Sequence, residues 1–418
     1  MWMTYRIWLL LGASAGIYAT LGSEAALAQD AARCDIVLEG ATVFTGTGFE
    51  TRDLAVSNGR FVTHVPEGAE RLNAARWTIL PPLADVHTHM IDEPRPSGAR
   101  SHSDYLDQGI YFVLNPNNIR FDDALPTSHE TVDGSYTGGG LTGAGGHPRP
   151  LYEQLVDWGV YPMSKEELAG RAYHEVSNEA DARAAVAEVK RQGASHIKLY
   201  LTHHEQPDST GLTAKNFRHA VHFAREAGLH PVVHVNSRAD FRLAAEAGVH
   251  AMVHMPGAWP RGEDPERLMI TAEDAAIAAQ NEVFVVPTLA VGFNALFGEE
   301  LEAARGIWRH NLSLLMAAGV RIAAGADRGG ATALSELDIL HSTGLYSGAE
   351  LIEIGTTNGI ELAFPERDVG RIAPGQEASF IVMRFNPEGS WYGWRNVLGG
   401  MREGQTIRGD IFPEACAP

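Results

Sequence analysis

Apolar residues recur along this chain in short runs, most of which end in a polar residue able to bind a metal. Ile79-Leu80-Pro81-Pro82-Leu83-Ala84 leads into Asp85-Val86-His87-Thr88-His89. The pattern returns at residues 195–200 with Lys198, 231–235 with His234, 251–255 with His254 and 320–327 with Asp327. Runs of this length predict buried strands. Lys198 and His234 lie 36 residues apart, His234 and His254 20 apart, and His254 and Asp327 73 apart. The first two intervals each hold one helix with its loops. The third holds two such units, with residues 282–289 as the strand between them. Residues 178–191 and 213–227 read as amphipathic helices with Asn and Thr as N-caps. Residues 34 to about 79 and 371–412 read instead as short strands. Their turns fall at Ser57-Asn58-Gly59, Pro66-Glu67-Gly68 and Pro374-Gly375, with a hairpin at Arg402-Glu403-Gly404-Gln405. The glycine-rich stretch 115–150 reads as long irregular loops over the mouth of the strands.

In an extended strand, residues i and i+2 face one side, so His87 and His89 are able to converge on one ion. Imidazole is the commonest metal ligand among side chains. An HxH pair alone carries little weight in a chain with 18 His. Its company carries the argument, because Lys198, His234, His254 and Asp327 end later runs in the same way. Ligands at successive strand ends meet only if parallel strands close into a ring. That predicts an α/β fold, a (β/α)8 TIM barrel whose site lies at the C-terminal mouth of the strands.

Two His after the first strand, Lys after the fourth, His after the fifth and sixth, and Asp after the eighth resemble the amidohydrolase superfamily. Residues 373–382, Ala-Pro-Gly-Gln-Glu-Ala-Ser-Phe-Ile-Val, resemble its closing APGxxADxxV segment, with Ser379 where Asp is customary. Residues 35–44 resemble its opening strand. Ile197-Lys198 and Pro287-Thr288-Leu289 resemble the IK and PTL patterns of its imidazolonepropionase-like and dipeptidase-like branch. The similarity spans roughly residues 34 to 410.

The resemblance implies a small composite β-sandwich built from both termini. The expected organisation is then a signal peptide at 1–28, one part of the sandwich at 29–79, the hydrolase barrel at 80–370 and the other part at 371–418. It also implies that His87 and His89 with Asp327 hold the more buried metal, and His234 and His254 the second. Lys198 would bridge them as a CO2-derived carbamate, since an ammonium has no lone pair. The metal would be Zn2+ or another divalent ion, one or two per chain. A strand-end lysine in an ion pair, or snorkelling to solvent, is the alternative. Asp327 would also be catalytic, taking a proton from the metal-activated hydroxide and passing it to the leaving nitrogen. Arg328, Tyr200 and His147 are the candidate substrate contacts. Arg328 pairs with a substrate carboxylate or turns into the barrel wall; His147 reads first as a loop-stabilising or solvent-exposed residue, and the same alternative covers His203, His204 and Tyr200.

The composition, 44% hydrophobic and 20% charged over 418 residues, is that of an ordinary globular protein. Arg6 precedes an apolar run from Ile7 to Leu21, and Ala26-Leu27-Ala28 offers a small-x-small cleavage pattern. A periplasmic or secreted protein is expected, free of the membrane once cleaved. Its net charge of −19 argues against nucleic-acid partners. Only Cys34 and Cys416 are present, and in an exported chain they read as a disulfide or as two free thiols. The expected function is hydrolysis of an amide, peptide-like or cyclic amide C–N bond in a small molecule. Ester or lactone cleavage on the same metal site is one alternative, and a non-catalytic periplasmic metal-binding protein is another. Self-association into a homo-oligomer is left open.

Overall fold

The turn chemistry of the first fifty described residues is decided by residues that tolerate positive φ. The computed structural model describes residues 34–91, 102–119, 128–260, 262–388 and 394–418. The expected signal peptide, 1–28, lies outside them. Strands β1 (Ile36–Phe44) and β2 (Phe49–Ser57) pair antiparallel. Asn58 at φ 50° and Gly59 at φ 73° then turn the chain into β3 (Arg60–Val62). Two consecutive left-handed residues match the right-handed twist of the strands they join, which is why Asn-Gly is favoured there. Strands β4 (Glu70–Asn73) and β5 (Thr78–Leu80) both run parallel to β1.

From Leu83 the pairing becomes parallel. Strands β6 (Leu83–Asp85), β7 (Ile110–Asn115) and β8 (Asp133–Tyr136) form one sheet in that order. Strand β9 (Gly140–Thr142) pairs with β10 (Tyr173–Glu175) on one side and β11 (His196–Tyr200) on the other. Strands β12 (His230–His234), β13 (Ala251–Val253) and β14 (Phe284–Val286) follow in sequence order. The expected helices are present as Glu179–Arg191 and Ala214–Glu226, capped by the side chains of Asn178 and Thr213. Most of the buried apolar side chains of these elements belong to one large cluster, and Tyr173 of β10 to a smaller one with Tyr152 and Tyr161.

Two segments differ from their sequence reading. Residues 115–150, read as loops, contain β8, β9 and the start of helix Arg149–Asp157. Asp, Gly, Ser and Thr hide those strands from any hydrophobic pattern. β8 pairs with β7 and β9 with β11 on either side of a break at 137–139, where Gly138 takes φ 64°. Residues 320–327, read as a strand, make only an isolated parallel bridge between Ile322 and Val285. The backbone N–H of Ala323 donates to Val285, that of Val86 to Ala324 and that of Asp327 to His87. This segment therefore lies between β14 and the end of β6.

Strands β15 (Phe380–Met383), β16 (Val397–Arg402) and β17 (Gln405–Arg408) return to the first sheet, where β15 pairs antiparallel with β5. Glu403 and Gly404, both at positive φ, make the β16–β17 hairpin turn. The resulting eight-stranded sheet draws on both ends of the described chain and has its own buried cluster, including Ile36, Val43, Phe61 and Phe380. Cys34 and Cys416 are joined in a disulfide with their Cα atoms 4.7 Å apart. Among the described residues, no helix is long and apolar enough to cross a membrane.

Candidate active site

Each parallel strand delivers a polar residue just beyond its last apolar one. His87 and His89 follow β6, Lys198 lies within β11, His234 ends β12, His254 follows β13, and Asp327 ends the 320–327 segment. They meet around the Asp327 carboxylate. The Nε2 atoms of His87 and His89 both lie 3.3 Å from Asp327 Oδ1, and His254 Nε2 lies 3.7 Å from Oδ2. The rings of His234 and His254 stand 4.4 Å apart, centroid to centroid. Lys198 is fully buried, with its Nζ 5.2 Å from the Tyr200 ring centroid.

The backbone here is held in conformations that L residues rarely adopt. His254, Thr288 and Asp327 have φ of 66°, 51° and 48°. Strain of this kind persists only where the surroundings over-determine it. At Thr288, a β-branched residue, the restraint is visible. Its Oγ1 lies 2.7 Å from His254 Nδ1, and the next two backbone N–H groups, of Leu289 and Ala290, donate to the buried Glu336 carboxylate at 2.9 Å each. Asp85 does the same for the other wall, accepting from the backbone N–H groups of His87, Ala326 and Ala333. Burial pushes the Asp85 carboxyl up to about 7 and that of Glu336 up to about 8. Gly325 is required by close approach, since a Cβ there would meet the His87 backbone nitrogen at 2.6 Å.

The charge state of the cluster follows from its burial. Desolvation holds His87 and His234 well below the ordinary imidazole range and His254 down to about 3, so all three are neutral. Burial also lowers the Lys198 ammonium to about 7, leaving much of it as a free amine near neutral pH. Burial raises the Asp327 carboxyl, but His87, His89 and His254 outweigh it and hold the group well below the usual carboxylate range.

These neutral rings suit a cation. His89 Nδ1 lies 3.1 Å from Asn115 Oδ1, which aims its Nε2 at the Asp327 carboxylate. A ring nitrogen and a carboxylate oxygen 3.3 Å apart are bridged favourably by a proton or a cation. The Nδ1 atoms of His87 and His234 are buried without a hydrogen-bond partner. His87, His254 and Asp327 can offer one ligand atom each within 4.8 Å of one another. His203, Glu205 and Asp240 form a second such group. There, however, Asp240 already accepts from four backbone N–H groups, of His203, His204, Asn236 and Ser237, and lies 2.8 Å from His204 Nδ1. Its oxygens are committed to shaping that loop.

A cavity of about 730 Å³ opens onto the cluster. It is lined by His87, His89, Lys198, His234, His254 and Asp327, and by two of the three candidate substrate contacts, His147 and Tyr200. The His147 ring lies 5.1 Å from that of Tyr200 and 5.2 Å from that of His234. Arg328 is not brought there. It is exposed and lines a separate cavity with Phe293 and Arg305. Residues the sequence reading did not single out include Asn115 and Asn117. The buried Asn117 amide donates to Tyr152 and the Ala172 carbonyl and accepts from Gly140 and Tyr200, holding Tyr152 and Tyr200 in the cavity wall. Only its unusual φ of 110°, invisible in sequence, marks it.

No family profile matches the chain, and no curated protein matches it in sequence. Solved structures do. A Xaa-Pro dipeptidase with methionine bound in its active site superposes with a TM-score of 0.68 at 17% identity, covering 90% of this chain and 100% of that one. Ochratoxinase of A. niger gives 0.70 at 18% identity, covering 92% and 98%. Molinate hydrolase gives 0.65 at 15% identity, covering 92% and 97%. The chain shares the fold of these dipeptidase, ochratoxinase and molinate hydrolase structures.

Proposed function

We propose that this chain is an exported, metal-dependent amidohydrolase that cleaves an amide, peptide-like or cyclic amide C–N bond. The observation that carries the reading is the convergence of the His87, His89 and His254 imidazoles on one ionised carboxylate, that of Asp327, at the floor of an accessible cavity. The likeness in fold to hydrolase structures supports it. On this reading the parallel segments, with 320–327 between β14 and β6, form a closed (β/α)8 barrel over 80–370. Segments 29–79 and 371–418 together make the small β-sandwich.

His87, His89 and Asp327 would hold one divalent ion, His234 and His254 a second, and Lys198, as its carbamate, would join the two. A burial-lowered amine is the form of lysine that reacts with CO2. When bound, Zn2+ or a similar ion polarises a carbonyl and acidifies water. The residues supply the rest. Asp327, ionised at neutral pH, accepts the proton of the attacking water on Oδ2 as the C–O bond forms. It then delivers that proton to the nitrogen as the C–N bond breaks. Asn115 and Thr288 fix the rings of His89 and His254 by their Nδ1 atoms, so that both Nε2 atoms face inward. The Cys34–Cys416 disulfide and the leader-like residues 1–28 support an oxidising compartment beyond the cytoplasm.

The test is metal analysis of the purified mature protein, followed by a hydrolysis screen of amides, dipeptides, lactones and esters. One to two divalent ions per chain, and amide hydrolysis lost on chelation and restored by readdition, are expected. Full activity in metal-free protein overturns the mechanism, and cleavage of esters or lactones alone shifts the reading to those substrates. Metal bound with no hydrolysis of any class leaves a binding protein.

A further inference from the structure

The cavity continues well beyond the metal-ligand candidates, and its outer part is apolar. Leu151 and Leu155, one turn apart on helix Arg149–Asp157, share its wall with Val160, Tyr161, Trp259 and Val291. Leu151 and Trp259 are 41% and 43% exposed, although large apolar side chains are costly to leave in water. Tyr161 belongs to a small buried cluster with Tyr152 and Leu168, and Leu155 and Val160 pack against it. The wall is thus built in advance of any ligand.

Charge points the same way. Among the described residues lining the cavity there is no arginine, and Lys198 lies at the floor with the metal-ligand candidates. Arg328 lines a different cavity. Glu263, which also lines this one, adds negative charge, with Oε2 3.5 Å from His203 Nε2. Among the described residues, a carboxylate placed away from the scissile bond would meet apolar side chains and an acid, with no guanidinium in the lining to receive it. The volume of about 730 Å³ suits a drug-sized molecule rather than a short dipeptide.

We infer that the site takes amides whose portion distant from the scissile bond is bulky, apolar and uncharged, and that it discriminates against a free carboxylate there. This rests on the amidohydrolase reading of the same site. The experiment uses metal-loaded mature protein and two matched series: N-acyl anilides with an unsubstituted ring, and the same compounds with a carboxylate on that ring. Calorimetric affinity is measured beside kcat/KM, so that binding is read whether or not turnover occurs. The carboxylate should lower both by about tenfold or more. Leu155→Arg should narrow that preference with metal content unchanged, and Trp259→Ala should weaken the neutral series.

Equal or tighter binding of the carboxylate series, or no binding of either, overturns the inference. Faster cleavage of short dipeptides than of the neutral anilides also overturns it while leaving the amidohydrolase reading intact. Binding of the neutral series with no hydrolysis of any substrate does the reverse.

Discussion

At the scale of single residues, the site separates groups that do chemistry from groups that aim them. Asp327→Asn keeps the shape of the acceptor and removes its charge, so amide hydrolysis should fall by about 10²- to 10⁴-fold while the fold is retained. Steady-state rates beside circular dichroism check this. Thr288→Val removes the hydroxyl 2.7 Å from His254 Nδ1 and nothing else of its bulk. Metal affinity should drop by about 10- to 100-fold, read by competition with a chromophoric chelator; unchanged affinity would show that Thr288 only shapes the turn. Lys198→Ala should lose metal and activity together, with partial rescue by a short-chain carboxylic acid. His87, His234 and His254 were legible because each follows an apolar run, which is local information. The roles of Asn115, Thr288 and Glu336 were not, although Thr288 stands in the PTL pattern, because their partners lie 26, 34 and 46 or 47 residues away in the chain.

At the scale of elements, the segment 320–327 shows how little regular structure a site needs. It carries Asp327 without being a strand, held by two backbone hydrogen bonds with Val285 and one each with Val86 and His87. The sequence pattern located it correctly between its neighbours and overstated its regularity. The polar strands β8 and β9 were missed altogether, because Asp133, Gly134, Gly140 and Thr142 carry no hydrophobic alternation. At Gly325 this element packs against His87, just past β6. Gly325→Ala forces a Cβ against the His87 backbone and should cost about 1–3 kcal/mol. Its effect should be felt at the candidate metal ligands, so the denaturant midpoint and, on the proposed reading, the metal content should both fall. A variant with wild-type values of both would mean that the two segments separate freely.

At the scale of the whole molecule, acid should loosen the opposite ends of the strands. His196, His230 and His250 lie at the starts of β11, β12 and β13, with ring centroids 4.8–5.5 Å apart. The Nε2 atoms of His196 and His250 both approach the Leu362 carbonyl, at 3.0 and 2.9 Å. Burial lowers His196 well below its ordinary range, His250 to about 4, and His230 as well, despite Glu366 beside His230. Each folded value lies below the unfolded one. The stability from neutral rings is therefore fully present above about pH 6.5 and lost as pH falls towards 4. The slope is about 1.4 kcal/mol per pH unit for each proton taken up only on unfolding. Denaturant midpoints measured from pH 7.5 to 5 should fall more gently in a His196→Gln/His250→Gln variant; parallel profiles would reject the cluster as the cause. Reduction of the disulfide should lower thermal stability without releasing metal, since the bond closes 382 residues far from the cavity in sequence. Chain-entropy reasoning sets the upper bound at about 5–6 kcal/mol.

That same bond makes the folded chain a covalent ring. Because Cys34 and Cys416 are joined, a cut in any loop between them opens the ring without dividing it. A protease that nicks this protein once leaves one molecule of unchanged mass on a non-reducing gel and two fragments only after reduction. The catalytic parts of a nicked molecule would stay tethered at high effective concentration, able to re-form after unfolding. Under the proposed export, where proteases act and replacement from the cytoplasm is slow, one backbone break need not end the working life of the protein.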